Sequence, residues 1–384
     1  MTFPLAFLLA LAANVLFWLS IQSLFPALPL YIASLGGTPA DNGLTTFAAA
    51  GAAVLARPFI GAIADRVGRK PVMLMGGLCA TLAPVLTAAS QAILPLLAAR
   101  AIGGIGIAAF STGFQALLAD LAPPEQRGEA FGWGGNSGAL ASLVGPLAGD
   151  WVASHQGFPM VFGLAAMCGG LCALAALFIR EPLREARRPA SSPPLQGLRE
   201  TLAQRNVRAG IVAVSPLGMA YGAMITFWPL VAREHHLGTV GAFYTVYALG
   251  LLTVQILAGR LSDRIGRTRV MLPGMLLAGA AFAAIPFARS DVASLLVAFA
   301  CGAGLGIART AIDALALDGA PARLRGTAIA VEFTTNDLWI GLGSALLGPL
   351  AGIAGFGAAY GIAGAACGVT AGTLAAFKRQ DRGA

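Results

Sequence analysis

Apolar runs close to bilayer length recur from one end of this chain to the other, with only short polar stretches between them. A spanning helix needs roughly 20 such residues. In lipid every backbone N–H and C=O must be satisfied within the protein, so runs of this length select helices. Twelve are present, at about 5–32, 44–64, 71–90, 93–119, 128–153, 158–179, 209–232, 239–259, 270–288, 292–317, 327–353 and 356–377. Their alanines and glycines suit helices packed backbone to backbone. Composition closes the alternative: 11% of the 384 residues are charged, against about 25% in a soluble domain. No block remains for a catalytic domain outside the membrane, so no enzyme activity, catalytic residue or cofactor is expected. The first run starts without a basic n-region or small-residue cleavage site, and is read as a retained span.

The excess of 25 basic over 17 acidic residues would suggest nucleic acid in a soluble chain. Its distribution gives another reading. Twenty of the Lys and Arg residues fall in alternate connections, the opposite connections hold Arg233 and Arg289, and Arg57, Arg100 and Arg309 lie within runs. Loops rich in Lys and Arg stay in the cytoplasm, which places both termini there. Membrane lipid, not nucleic acid, is the partner this charge implies. The five cysteines, Cys79, Cys168, Cys172, Cys301 and Cys367, fall inside apolar runs without metal-site spacing, so neither a metal nor a disulfide is expected.

The longest polar stretch, residues 181–208, divides the runs six and six and reads as a cytoplasmic linker between an N-terminal bundle, 1–180, and a C-terminal bundle, 209–384. The halves repeat. Gly61, Asp65, Arg66, Gly68 and Arg69 recur 198 residues later as Gly259, Asp263, Arg264, Gly266 and Arg267. Asp120, Ala122, Pro123, Arg127 and Gly128 recur as Asp318, Ala320, Pro321, Arg325 and Gly326, and Gly145–Gly149 recurs as Gly348–Gly352 at a slightly larger offset. Two homologous six-helix bundles with a pseudo-twofold relation follow, an arrangement typical of secondary transporters.

Residues 61–70, Gly-Ala-Ile-Ala-Asp-Arg-Val-Gly-Arg-Lys, resemble the loop signature between helices 2 and 3 of the major facilitator superfamily, and the resemblance extends over essentially the whole chain. It implies twelve transmembrane helices and transport by alternating access. Physically, Gly61 would let helix 2 approach a neighbour, Asp65 would accept charge-assisted bonds, and Arg66, Arg69 and Lys70 would hold the loop at the inner surface. These residues, with Gly68 and the copies Asp263, Arg264, Gly266 and Arg267, form a candidate conformational latch. Gly138, Ala141, Gly145, Pro146 and Gly149 resemble the helix 5 proline-glycine motif of the drug:proton antiporter branches, with Ala141 and Asp150 at positions where glycine is usual. Close helix packing around a proline explains the same small residues.

Polar residues inside the runs supply candidate binding positions. Asn14, Trp18 and Gln22 share one face of helix 1. Arg100 and Gln115 lie broadly on one face of helix 4, where an arginine is costly unless it avoids lipid. Arg309 and Asp313 are four residues apart and can neutralise each other. These seven are the candidate substrate-binding residues. Asp313, Glu332 and Asp337, the acids read as intramembrane, lie in the second half, and Glu332 and Asp337 are candidate proton carriers, whereas helix 1 has Asn14 where related drug exporters resemble one another in carrying an acid.

The expected function is secondary transport, with proton-coupled efflux of small amphipathic organic compounds from a bacterial-type inner membrane first. Proton symport or uniport of a sugar or organic anion is the alternative, and a non-transporting receptor comes last. Two complete bundles permit a functional monomer.

Overall fold

The computed structural model describes residues 5–123, 126–181, 194–238, 240–321 and 324–383, with side chains for all of these except 127, 194–196 and 377–383. Residues 182–193 of the sequence-defined linker lie outside the described residues. The chain is divided into two compact units: unit 1 comprises Met1–Glu185 and Val240–Thr245, and unit 2 comprises Ala186–Thr239 and Val246–Ala384.

Unit 1 opens with α1 (Leu5–Gln22) and α2 (Leu24–Ser34), which together make one apolar span broken at Ser23. The break has a cause in sequence. Pro26 lacks the N–H that would bond the carbonyl of Gln22, and its ring crowds that carbonyl. Next come α3 (Pro39–Val67), α4 (Arg69–Ala89), α5 (Ile93–Leu121), α6 (Arg127–Gln156) and α7 (Phe158–Phe178). Helix α3 starts on a reciprocal cap: Thr38 N–H donates to Asp41 Oδ2 at 2.7 Å and Asp41 N–H to Thr38 Oγ1 at 3.3 Å, with Pro39 in the first turn. Phe7, Phe17, Phe110 and Phe114 are buried in the main core, where Phe17 stacks on Phe110 with centroids 4.2 Å apart.

A short helix, α8 (Pro194–Ala203), lies within the stretch read as linker, and α9 (Arg205–Glu234) follows it. Helix α10 (Val240–Ile265) starts in unit 1 and runs on in unit 2. Unit 2 continues with α11 (Arg267–Ala284), one 3-10 turn (Ile285–Phe287), α12 (Asp291–Gly319) and α13 (Arg325–Gly383), the last interrupted at Gly355, where φ is 80°. Ten helices among the described residues are long and apolar enough to cross a membrane. Helix α6 is outside this set because polar residues dilute its apolar face, and the eleventh and twelfth apolar runs are joined in α13.

The repeat is written into the backbone. Gly68 and Gly266 take φ of 119° and 98° between consecutive helices, and Gly157 and Gly355, again 198 apart, take 84° and 80°. Only glycine adopts this left-handed region without strain, so each sharp reversal needs it. Helix contacts repeat too. A Cβ on Gly104 would overlap the carbonyl of Ala49, and one on Gly302 the carbonyl of Tyr247, both pairs shifted by 198.

Candidate functional site

The α3–α4 turn brings the latch residues of unit 1 together. Arg69 opens α4 just after Gly68, which carries its guanidinium back over the end of α3. There Nη1 donates to Asp65 Oδ1 at 2.9 Å, and Nε reaches Asp120 Oδ2 at the end of α5 at 3.4 Å. The α10–α11 turn repeats this: Arg267 pairs with Asp263, its Nε donates to Asp318 Oδ2 at 2.8 Å, and its Nη1 reaches Ser262 Oγ at 3.4 Å. Each arginine therefore ties three helix ends. Asp120 and Asp318 were not singled out as latch residues from sequence, although their recurrence at the shared offset was the signal for them. Arg66 and Arg264 are exposed. The expected role of Gly61 needs correction: a Cβ there would meet nothing within 4 Å among the described residues, so no close approach depends on it.

In unit 2, α12 and α13 bring three charges together. Arg309 Nε donates to Asp313 Oδ1 at 2.8 Å and lies 3.6 Å from Glu332 Oε1, while its guanidinium sits over the Phe333 ring, 4.6 Å from the centroid. Glu332 is 1% exposed, and neither of its carboxylate oxygens has a hydrogen-bond partner. Arg309 Nη2 is likewise buried without one. Formal charges at neutral pH leave this group one negative charge in excess if both acids are ionised. Asp337 is half-buried further along α13.

The helix 1 candidates are committed elsewhere. Asn14, 3% exposed, donates from Nδ2 to Ser137 Oγ at 2.8 Å and to the Gly134 carbonyl at 3.2 Å on α6. Gln22 Nε2 donates to Ser142 Oγ at 2.9 Å on the same helix. Both thus bond helix to helix. Trp18 remains half-buried, with its ring edge-on to Phe17. The helix 5 motif packs α6 against this seam: a Cβ on Gly149 would overlap the Ser23 carbonyl, one on Gly145 would come within 3.1 Å of Gln22 Cβ, and Gly138 faces Asn14 and Trp18. On α5, Arg100 is partly buried with its Nε lacking a hydrogen-bond partner, and Gln115 is exposed. Arg100 and Gln115 belong to unit 1 and the Arg309 group to unit 2.

Among the described residues, no group of three or more His, Cys, Asp or Glu side chains is placed to hold a metal ion. The cysteines are free.

Comparison with known proteins places this arrangement in a family. The Major Facilitator Superfamily model matches residues 10–344 and, in a second match, 211–383. Multidrug resistance protein MdtG of Salmonella paratyphi A is 29% identical over 365 residues, covering 91% of this chain and 87% of the relative, and MdtG of Salmonella typhi is 28% identical over the same coverage. Among solved structures, the nucleoside transporter NupG superposes with a TM-score of 0.80 at 15% identity, covering 97% of this chain and 99% of NupG. A bacterial homolog of the human lysosomal transporter Spinster gives 0.74 at 18% identity, covering 96% and 94%. The chain is a multi-pass membrane protein and a transporter, and it belongs to the Major Facilitator Superfamily.

Proposed function

We propose that this protein exports small amphipathic organic compounds across a bacterial-type inner membrane in exchange for protons, by alternating access. The observation that carries this reading is its similarity over 91% of its length to relatives named for multidrug resistance. In this reading twelve helices cross the membrane, α13 supplying two on either side of Gly355, and both termini are cytoplasmic. The bundles are 1–180 and 209–384, joined by the linker 181–208. A single chain bathed in lipid is the working unit.

Proton coupling is assigned to Glu332, with Asp337 as the second candidate. The support for Glu332 is its burial and its shared arginine: with Asp313 it presents two carboxylates to one guanidinium, and a single bound proton would neutralise the group. Asp65, Arg69, Asp263 and Arg267 are assigned to the latch, together with Asp120 and Asp318. For substrate, Trp18, Arg100 and Gln115 remain candidates, whereas Arg309 and Asp313 serve the charge group. The unpartnered Arg100 Nε favours a second reading, uptake of an organic anion.

The test uses reconstituted vesicles with the dye ethidium and an imposed pH gradient. Efflux of dye that accelerates with the gradient, accompanied by counterflow of protons, is expected. Equal flux with and without the gradient would end the coupling assignment, and uptake of an organic anion with alkalinisation outside would favour the second reading.

A further inference from the structure

Glu181, just beyond the end of α7, takes no part in the latch described above. Its carboxylate lies on the α3–α4 turn: Oε1 accepts from the backbone N–H of Lys70, in the first turn of α4. The Lys70 side chain reaches back, its Nζ donating to the Leu177 carbonyl on α7 at 2.6 Å. The fit is close, since a Cβ on Gly68 would come within 2.6 Å of Glu181 Oε2. Unit 1 thus holds this turn from three sides: Asp65 on α3, Asp120 on α5, and the Leu177–Glu181 end of α7. In unit 2 the aspartates recur, but the position 198 after Glu181 is Arg379, a base where unit 1 has the acid.

A carboxylate receiving an N–H at the start of a helix meets an orphan donor and the positive end of the helix dipole together. Hydrogen bonds to a charged group contribute enough to change a local opening equilibrium about tenfold. We propose that Glu181 is an additional anchor of the α3–α4 turn that the repeated turn of unit 2 lacks, so that the duplicated latch is unequal and the α10–α11 turn is the one released more readily. Glu181 is here a positioning residue, acting through Lys70 and Arg69. The functional half of the inference rests on the latch reading; the anchor itself does not.

Hydrogen exchange on the purified full-length protein tests the anchor. Corrected for intrinsic rates, amides 68–70 and 72 should exchange about tenfold more slowly than amides 266–268 and 270. Glu181→Ala should remove the difference, and Glu181→Gln, which keeps an acceptor oxygen, should restore part of it. Equal protection in the unaltered protein, or a difference that survives Glu181→Ala, would overturn the proposal. The functional arm measures ethidium efflux. Asp65→Asn should slow it less than Asp263→Asn, because Glu181 still holds the unit 1 turn, and in a Glu181→Ala background the two should become equally slow. Equal effects in the unaltered background would overturn the inequality. If neither aspartate variant affects efflux in either background, the latch reading fails and the unequal release with it, while the exchange data alone decide the anchor.

Discussion

Arg309 lies between two carboxylates on an aromatic ring, and this combination sets what its removal would do. Glu332 is sealed from solvent, and taking the cation away would leave a buried acid without its counter-charge. Removing one member of a buried ion pair costs about 3–5 kcal/mol. Arg309→Met should therefore lower the thermal unfolding temperature in detergent sharply. Pairing it with Glu332→Leu should restore most of the loss, because an apolar replacement of the whole pair avoids the unpaired charge. A double variant as unstable as the single one would refute this account. The Arg309–Asp313 link was readable from the spacing of four residues on one helix. The approach of Glu332 was not, since it depends on how α12 and α13 pack, and a single sequence carries no distance between helices. Asn14 and Gln22 illustrate the same boundary. Their shared face was legible, but whether that face met a ligand or another helix was decided by Ser137 and Ser142 on α6.

Helix seams separate glycines that pack from glycines that turn and from those that do neither. Gly149 sits against the Ser23 carbonyl with no room for a methyl group, whereas Gly61 has open space on its Cβ side among the described residues. Overpacking of this kind costs about 1–3 kcal/mol. Gly149→Ala should reduce thermal stability by that order and Gly61→Ala should leave it nearly unchanged, both measured by unfolding in the same detergent. Equal shifts would mean that the α6 seam is not as tight as described. The latch calls for a different measurement. Asp120 and Asp318 are partly exposed, at 34% and 54%, and ion pairs in that setting are worth about 0–1 kcal/mol. Asp120→Asn and Asp318→Asn should accordingly change stability little but alter the rate of dye efflux. A large loss of stability, or an unchanged rate, would remove these residues from the latch. Helix boundaries in the sequence reading stopped short at several ends, such as 64 for α3 and 259 for α10, because charged residues were read as loop. In the structure those charges lie on the last helical turns, Asp65 and Asp263 among them, where they can reach an arginine one turn on.

Across the whole chain the duplication preserves backbone more faithfully than chemistry. The left-handed glycines, the Gly104 and Gly302 contacts and the Asp–Arg–Asp ties all recur at an offset of 198. The Gln22–Ser142 bond of unit 1 is matched in unit 2 by Thr226 and Ser344, 3.1 Å apart, at nearly that spacing. The acids of the Arg309 group do not recur: the positions 198 before Asp313 and Glu332 are Gln115 and Gly134. A proton-binding group built on these acids can therefore reside in unit 2 alone, and this asymmetry yields a test at the scale of the molecule. Glu332→Gln retains the shape and polarity of the side chain and removes its exchangeable charge. Downhill efflux of ethidium from vesicles should persist in this variant, since the framework and the latch are untouched, but an imposed pH gradient should no longer accelerate it. Asn14→Ala and Gln22→Ala, which alter only helix-to-helix bonds in unit 1, should slow or destabilise transport while leaving its response to the gradient intact. If Glu332→Gln keeps the full response, the proton is carried elsewhere, and the same measurement on Asp337→Asn distinguishes the remaining candidate.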